Sequence, residues 1–219
     1  MNIEQARFNM VEQQIRTWEV LDPDILDLLY AVRREDFVPA AYRDLAFSDL
    51  QIPLGSDPCE HMWAPKLEAR VLQELAVRKT ESVLEVGTGS GYFAALLAHR
   101  AHQVRSIEIN PSLATLGRQN LARAGVENVS VEPGDGSRGW RVRAPYDVIV
   151  ITSSLPIVPP ELLSQLRPGG RLFAVVGDPP VMSARLIRCT GEGSHAEHDL
   201  FETCIAPLKN ALQPERFQF

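Results

Sequence analysis

Cysteine is scarce in this chain: Cys59, Cys189 and Cys204 are too few and too far apart for the disulfide framework of a small secreted protein. A reducing, cytoplasmic setting is therefore expected. No run reaches the roughly 18 apolar residues that a membrane span needs. The start, MNIEQARFNMVEQQIRTW, has neither the basic opening nor the apolar stretch of a secretory signal. Positive charge is also short, with 22 Lys and Arg against 28 Asp and Glu, a net charge of −6. Such a surface is poorly built to neutralise phosphate backbones or anionic lipid, so neither nucleic acid nor membrane is an expected partner. Internal repeats and low-complexity segments are missing too. What remains is 219 residues, 45% hydrophobic, long enough to bury roughly two thirds of the unfolded surface. Enzymes and binding domains both stay open.

The first 45 or so residues read as a helical cap. Val11, Ile15 and Trp18 share a helical face, and Asp22-Pro23 opens a second helix carrying Ile25, Leu28, Leu29 and Val32. Residues 47–65, with three prolines and no sustained period, predict an ordered loop held by what it packs against. Leu67, Val71, Leu72 and Leu75 then mark an amphipathic helix that begins after Pro65. Its Lys66, Glu68 and Arg70 either form a solvated face or address a substrate. From residue 82 strand and helix periods alternate through SVLEVG, YFAALLAHR, VRSIEI, PSLATLGRQNLARAG, VSVEPGD and DVIVITS, the pattern of an α/β, doubly wound sheet. A helix is predicted over about 160–166, then an RPGG turn and the strand RLFAVVG. ARLIRCT and DLFETCIAP, joined by the polar GEGSHAEH, predict an antiparallel pair at the sheet edge. The division that follows is a cap with its substrate-side loop, 1–81, and a ligand-binding sheet domain, 82–219.

The sharpest motif is Glu85-Val-Gly87-Thr88-Gly89-Ser90-Gly91, between an apolar strand and a helix. Alternate glycines let the backbone turn sharply and approach a ligand closely. The spacing is G-x-G-x-G, with Tyr92 where a dinucleotide fingerprint has its third glycine, and no phosphate-loop pattern occurs. Glu85, two residues before the loop, would repel a pyrophosphate and attract an ammonium. A cationic nucleoside fits better than a dinucleotide. Glu108 closes the second strand of the series, where a carboxylate accepts both hydroxyl hydrogens of a ribose, and Asp135 in Gly134-Asp135-Gly136 follows the third, suited to an adenine amino group. Ligands of open α/β sheets sit outside the strands' carboxyl ends, so Glu85, Glu108 and Asp135 are expected to converge on one crevice. Asp147 begins rather than ends its strand, and an architectural role is expected for it.

At this point the sequence resembles the protein-L-isoaspartate O-methyltransferase family. The resemblance is carried by MVEQQIR at 10–16, FVP at 37–39, IPLG at 52–55, VLEVGTGSGYFAALLA at 83–98, SIE at 106–108, GDG at 134–136, APYDVIVITSS at 144–154 and LLSQLRPGGRLFAVVG at 162–177. It implies a Rossmann-like class I methyltransferase sheet with a reversed carboxyl-terminal strand, an amino-terminal helical cap over the cofactor, and S-adenosyl-L-methionine as that cofactor. It assigns cofactor contacts to Glu85, Gly87, Thr88, Gly89, Ser90 and Gly91, to Glu108 and Ile109, and to Asp135 and Gly136. The activity it implies is O-methylation of carboxylates such as protein L-isoaspartyl residues. A peptide, a protein or a small molecule is the acceptor partner, and the oligomeric state stays open.

The departure lies on the acceptor side. Family members usually continue an IPLG-like segment into GQTISQP, whereas this chain reads GSDPCEHMWAP, which sets His61 against the family threonine and Trp63 against the serine. His61 and Trp63 are the candidate catalytic residues. His61 either orients the acceptor, takes a proton from a phenol, hydroxyl or amine acceptor, or ties down the loop. Trp63 either walls the methyl donor or anchors the loop. Ser56, Ser153 and Ser154 are alternative hydroxyls, Cys59 is read as incidental, and no metal is expected from the spread set His195, His198 and Cys204.

Overall fold

The computed structural model describes residues 2–191 and 193–215. Helix α1 (Ile3–Asn9) runs directly into a π-helical stretch, Met10–Ile15, and a 3-10 turn, Arg16–Trp18. This turns Met10, Val11 and Ile15 inward, while Trp18 stays half-buried. Helix α2 (Pro23–Ala31) starts where Asp22 accepts the Asp24 N–H, with proline in the first turn. The long loop contains a small hairpin, β1 (Ile52–Pro53) against β2 (His61–Met62), that pairs Pro53 with His61. Helix α3 (Pro65–Leu75) follows.

The sheet has seven strands: β3 (Ser82–Val86), β4 (Gln103–Glu108), β5 (Val129–Pro133), β6 (Tyr146–Leu155), β7 (Leu166–Asp178), β8 (Val181–Gly191) and β9 (Ser194–Glu202). Their order is β5-β4-β3-β6-β7-β8-β9, the first five parallel. The reversed strand is β8, antiparallel to both neighbours, and β9 closes the edge. Helices α4 (Tyr92–Arg100) and α5 (Pro111–Arg123) follow β3 and β4. The two-residue period of the strands sorts the core. Val83, Val104, Val148, Val150 and Phe173 join one buried cluster with cap residues such as Ile15, Leu29 and Leu72. Leu84, Ile107, Ile149, Ile151 and Leu172 join another on the opposite face.

Three elements depart from the sequence reading, the first being the strand expected over DLFETCIAP, which ends at Glu202. Helix α6 spans only Pro160–Leu163, and the chain is already extended at Leu166. Gln165 ends the helix: its amide binds the Arg138 and Glu161 carbonyls and the Trp140 N–H, and Pro168 disfavours helix beyond it. The polar turn near 191–194 is also shorter than expected, because Ser194–His198 already pair with β8. Asp147 accepts the Ser82 N–H and hydroxyl at 2.8 and 2.9 Å, an architectural role. Among the described residues no helix is long and apolar enough to cross a membrane.

Candidate active site

The strand order reverses direction of winding between β3 and β6, and the main cleft opens there, at the carboxyl ends of the parallel strands. Its empty space, open mouth included, is about 800 Å³, the size of a small-molecule site. Gly87 and Gly89 after β3, Glu108 and Ile109 at the end of β4, and Asp135 and Gly136 after β5 all line it. Thr152 and Ser153 of β6 form the far wall, and His61, Trp63 and Glu60 come over from the loop.

Glu108 is 5% exposed. Its Oε2 accepts the Gly89 N–H and its Oε1 the Asn110 N–H, each at 2.9 Å, so the carboxylate fastens the glycine loop to the end of β4. Each oxygen keeps capacity for a further donor, which is what a vicinal diol presents. Asp135 accepts the Ser137 N–H through Oδ1 and the Asn210 side-chain amide through Oδ2, both at 2.9 Å. Partial burial raises its affinity for a proton, yet these hydrogen bonds prevail and hold it below the usual carboxylate range.

The glycines divide by role. Gly87 has φ +101°, and a Cβ there would overlap the Thr152 hydroxyl, which itself bonds the Val86 and Gly87 carbonyls. Gly91 instead serves helix packing, since a Cβ would stand 3.1 Å from the Gly117 carbonyl, and it lines neither cavity near the loop. The loop therefore presents bare backbone to a ligand at Gly87 and Gly89.

Glu85 does not reach the cleft, contrary to the convergence expected from the motif. Register places it directly beside Ser106 of β4, whose hydroxyl donates to Oε2 at 2.5 Å and lies 2.5 Å from the Thr88 hydroxyl. Glu85 is fully buried beneath the loop, and burial pushes its pKa up to about 8. Thr88 and Ser90 help line a second space, the inner chamber, of about 320 Å³ with its open mouth included, which shares His61, Trp63, Gly87, Gly89 and Thr152 with the cleft.

His61 thus stands where the two spaces meet, its Nδ1 buried without a hydrogen-bond partner among the described residues. Trp63 is 7% exposed and packs against Phe93 and Phe173, with ring centroids 5.4 and 6.4 Å away, so it is both wall and loop anchor. Of the alternative hydroxyls, Ser153 lines the cleft, Ser56 is exposed, and Ser154 is buried, its Oγ donating to the Ile205 carbonyl. Cys59 lies at the cleft mouth. Among the described residues no group of three or more His, Cys, Asp or Glu is arranged to hold a metal.

Two features escaped the sequence reading. The carboxyl-terminal segment crosses the cleft: Ser154 exchanges main-chain hydrogen bonds with Ala206 and Leu208, Asn210 binds Asp135, and Lys209 binds Asp57 and Glu60, each at 2.8 Å. Nothing local marks residues 205–210 for this position. Glu68, for which the sequence left a solvated face and a substrate-facing role both open, is 2% exposed and lines the inner chamber, and its buried pairing with Arg34 at 3.1 Å is the part not foreseen. A signal did exist, because Glu68, Leu72 and Leu75 fall at i, i+4 and i+7 of the apolar stripe.

The sequence model described as protein-L-isoaspartate(D-aspartate) O-methyltransferase (PCMT) matches residues 5–212. A protein-L-isoaspartate O-methyltransferase of Methanoculleus marisnigri is 43% identical over 203 residues, covering 92% of this chain and 90% of that protein. One from Rhodopseudomonas palustris is 38% identical over 211 residues, covering 94% and 95%. Among solved structures, a Plasmodium falciparum protein described as a beta-aspartate methyltransferase (PCMT), in complex with S-adenosyl-L-homocysteine, superposes with a TM-score of 0.78 over 95% of this chain and 99% of that one. At 17% identity that likeness is one of fold, the Rossmann-like fold of class I methyltransferases.

Proposed function

The chain belongs to the protein-L-isoaspartate O-methyltransferase family, and from that premise we propose that it methylates a carboxylate, that of isoaspartyl residues in peptides or proteins, using S-adenosyl-L-methionine. The observation that carries this reading is the pairing of Glu108 and Asp135 at two strand ends, below a roof that holds His61 at the junction with the inner chamber. Bound in the cleft, the donor supplies an electrophilic sulfonium methyl group. Glu108 accepts the ribose hydroxyls, Asp135 the adenine amino group, and the bare backbone at Gly87 and Gly89 allows close approach.

An acceptor carboxylate, with an ordinary pKa near 4, is ionised at neutral pH and needs no general base. The protein's work is to hold that oxygen in line with the methyl and keep water out. His61, whose Nδ1 has no partner among the described residues, orients the acceptor, and Trp63 walls the site. The net charge of −6 supports a peptide or small-molecule acceptor over nucleic acid or anionic membrane, and the free cysteines support a cytoplasmic setting.

The test is methyl transfer from labelled donor to an isoaspartyl peptide and to its aspartyl isomer. Labelling of the first alone, as a base-labile ester, is the expected result; binding of cofactor with no transfer to either peptide overturns it. A second reading, transfer to a phenol, hydroxyl or amine with His61 as base, is favoured by one observation: residues 54–64 hold no threonine, and their only serine, Ser56, is exposed. Turnover on such an acceptor that His61→Phe abolishes, with cofactor affinity retained, would decide for it.

A further inference from the structure

Building on the cofactor assignment above, we propose that Glu68 receives the α-ammonium group at the amino-acid end of the methyl donor. The donor is long, with adenosine at one end and an amino acid at the other. When adenosine lies between Glu108 and Asp135, the chain that carries sulfur continues past Gly87 and Gly89, the glycines common to both spaces. The room beyond them is the inner chamber. Among the described residues Glu68 is the one carboxylate in its lining; Glu85, the acid that the motif first offers for an ammonium, is turned beneath the loop onto Ser106.

The hydrogen bonding of Glu68 is sparse. Arg34 gives it a single hydrogen bond from Nε, while its Nη1 and Nη2 donate to the carbonyls of Ala46 and Trp63 at 3.2 and 2.5 Å. A carboxylate buried to this degree is stable as an anion only when well paired; Arg34 balances its charge but gives it one hydrogen bond, and an ammonium in the chamber would add further donors. Burial accordingly pushes its pKa up to about 7 despite Arg34. The other groups facing it are His61 from β2, Glu85 from β3 and Tyr92 from α4, with Arg7 and Glu35 farther out beside Tyr92. None of these offers Glu68 a second fixed positive charge within hydrogen-bond reach among the described residues.

Calorimetric titration of the full-length protein with S-adenosyl-L-homocysteine, its des-amino analogue and 5′-methylthioadenosine, which lacks the amino acid altogether, tests this. Wild type should prefer the homocysteine ligand over the des-amino analogue on the order of 10- to 100-fold, the range for a hydrogen bond to a charged group. Glu68→Gln should erase that preference while 5′-methylthioadenosine stays within about threefold of wild type. A preference that survives in Glu68→Gln overturns the proposal. Should the variant misfold or lose all three ligands together, wild type alone decides. Below about pH 7 the homocysteine ligand should release a proton as Glu68 ionises against the ammonium, and the des-amino analogue should not. Equal proton release by the two overturns the proposal. If none of the three ligands binds wild type, the cofactor reading itself fails and this inference with it.

Discussion

Glu108→Gln strikes the cofactor cleft where its geometry is most constrained. Both oxygens of the native carboxylate already accept main-chain N–H groups, from Gly89 and Asn110, and the side chain is 5% exposed. Glutamine keeps the volume but converts one acceptor into a donor. One of those two N–H groups then faces an NH2, at a cost of about 1–3 kcal/mol in stability. The cost in affinity is separate. In the proposed complex ribose hydroxyls donate to the same two oxygens, and a hydrogen bond to a charged group contributes about 1.5–3 kcal/mol. Loss of the charge and of one acceptor together should weaken S-adenosyl-L-homocysteine binding by about 2–3 kcal/mol, roughly 30- to 150-fold in Kd. Isothermal titration reads the affinity and urea unfolding the stability. A folded Glu108→Gln protein that binds within about threefold of wild type refutes the assignment of the ribose to this residue.

Stability without ligand should fall as pH rises from about 5 to 8. Glu85 and Glu68, pushed up to about 8 and about 7 from 4.5, hold protons in the folded chain that the unfolded chain has already released. The slope of unfolding free energy against pH is therefore negative in this window. The contribution is full below the ordinary carboxylate range and is lost as pH climbs through the folded values. Urea midpoints across the window check this, and Glu85→Gln should flatten the upper half; midpoints that climb with pH contradict it. Arg34→Met removes what is, among the described residues, the only charged partner of Glu68, together with the donors to Ala46 and Trp63. It should cost about 3–5 kcal/mol, and an unfolding free energy within about 1 kcal/mol of wild type would show that the clamp is not needed. Gly87→Ala places a Cβ at positive φ against the Thr152 hydroxyl. A loss of about 1–3 kcal/mol in stability and weaker cofactor binding are expected, and a melting temperature and Kd equal to wild type would show that the loop relaxes freely.

The strands and the glycine loop were legible because their signals are local. Alternation in SVLEV and DVIVI, a glycine at every second position after β3, and an acid at the end of β4 each lie within one short window of sequence. Glu108 and Asp135 could be placed for the same reason, since the end of a strand in an α/β sheet is the rim of the ligand crevice. Glu85 could not. Its face depends on strand alternation and on the β3–β4 register that sets it opposite Ser106, and register is a property of two segments 21 residues apart in the chain.

The same distinction separates the two halves of the site. The adenosine half is built from consecutive strand ends, so a single motif series describes it. The half proposed to meet the amino acid and the acceptor draws on Arg34 of the cap, His61 and Trp63 of the hairpin loop, Glu68 of α3 and Thr152 of β6. These segments come together only through burial, and the Arg34 guanidinium is what joins three of them: it donates to Glu68, to the Trp63 carbonyl and, through Ala46, to the chain leading into the loop. A cap that merely covered the sheet would not need a buried guanidinium. Here the cap determines where the tryptophan and the carboxylate of the chamber stand, so the departure of residues 54–64 from the family pattern is a change in the chamber's charge and shape as a unit. Its effect is to be sought in which donor and acceptor groups the chamber accepts, and the adenosine half, whose contacts are made elsewhere, should be insensitive to it.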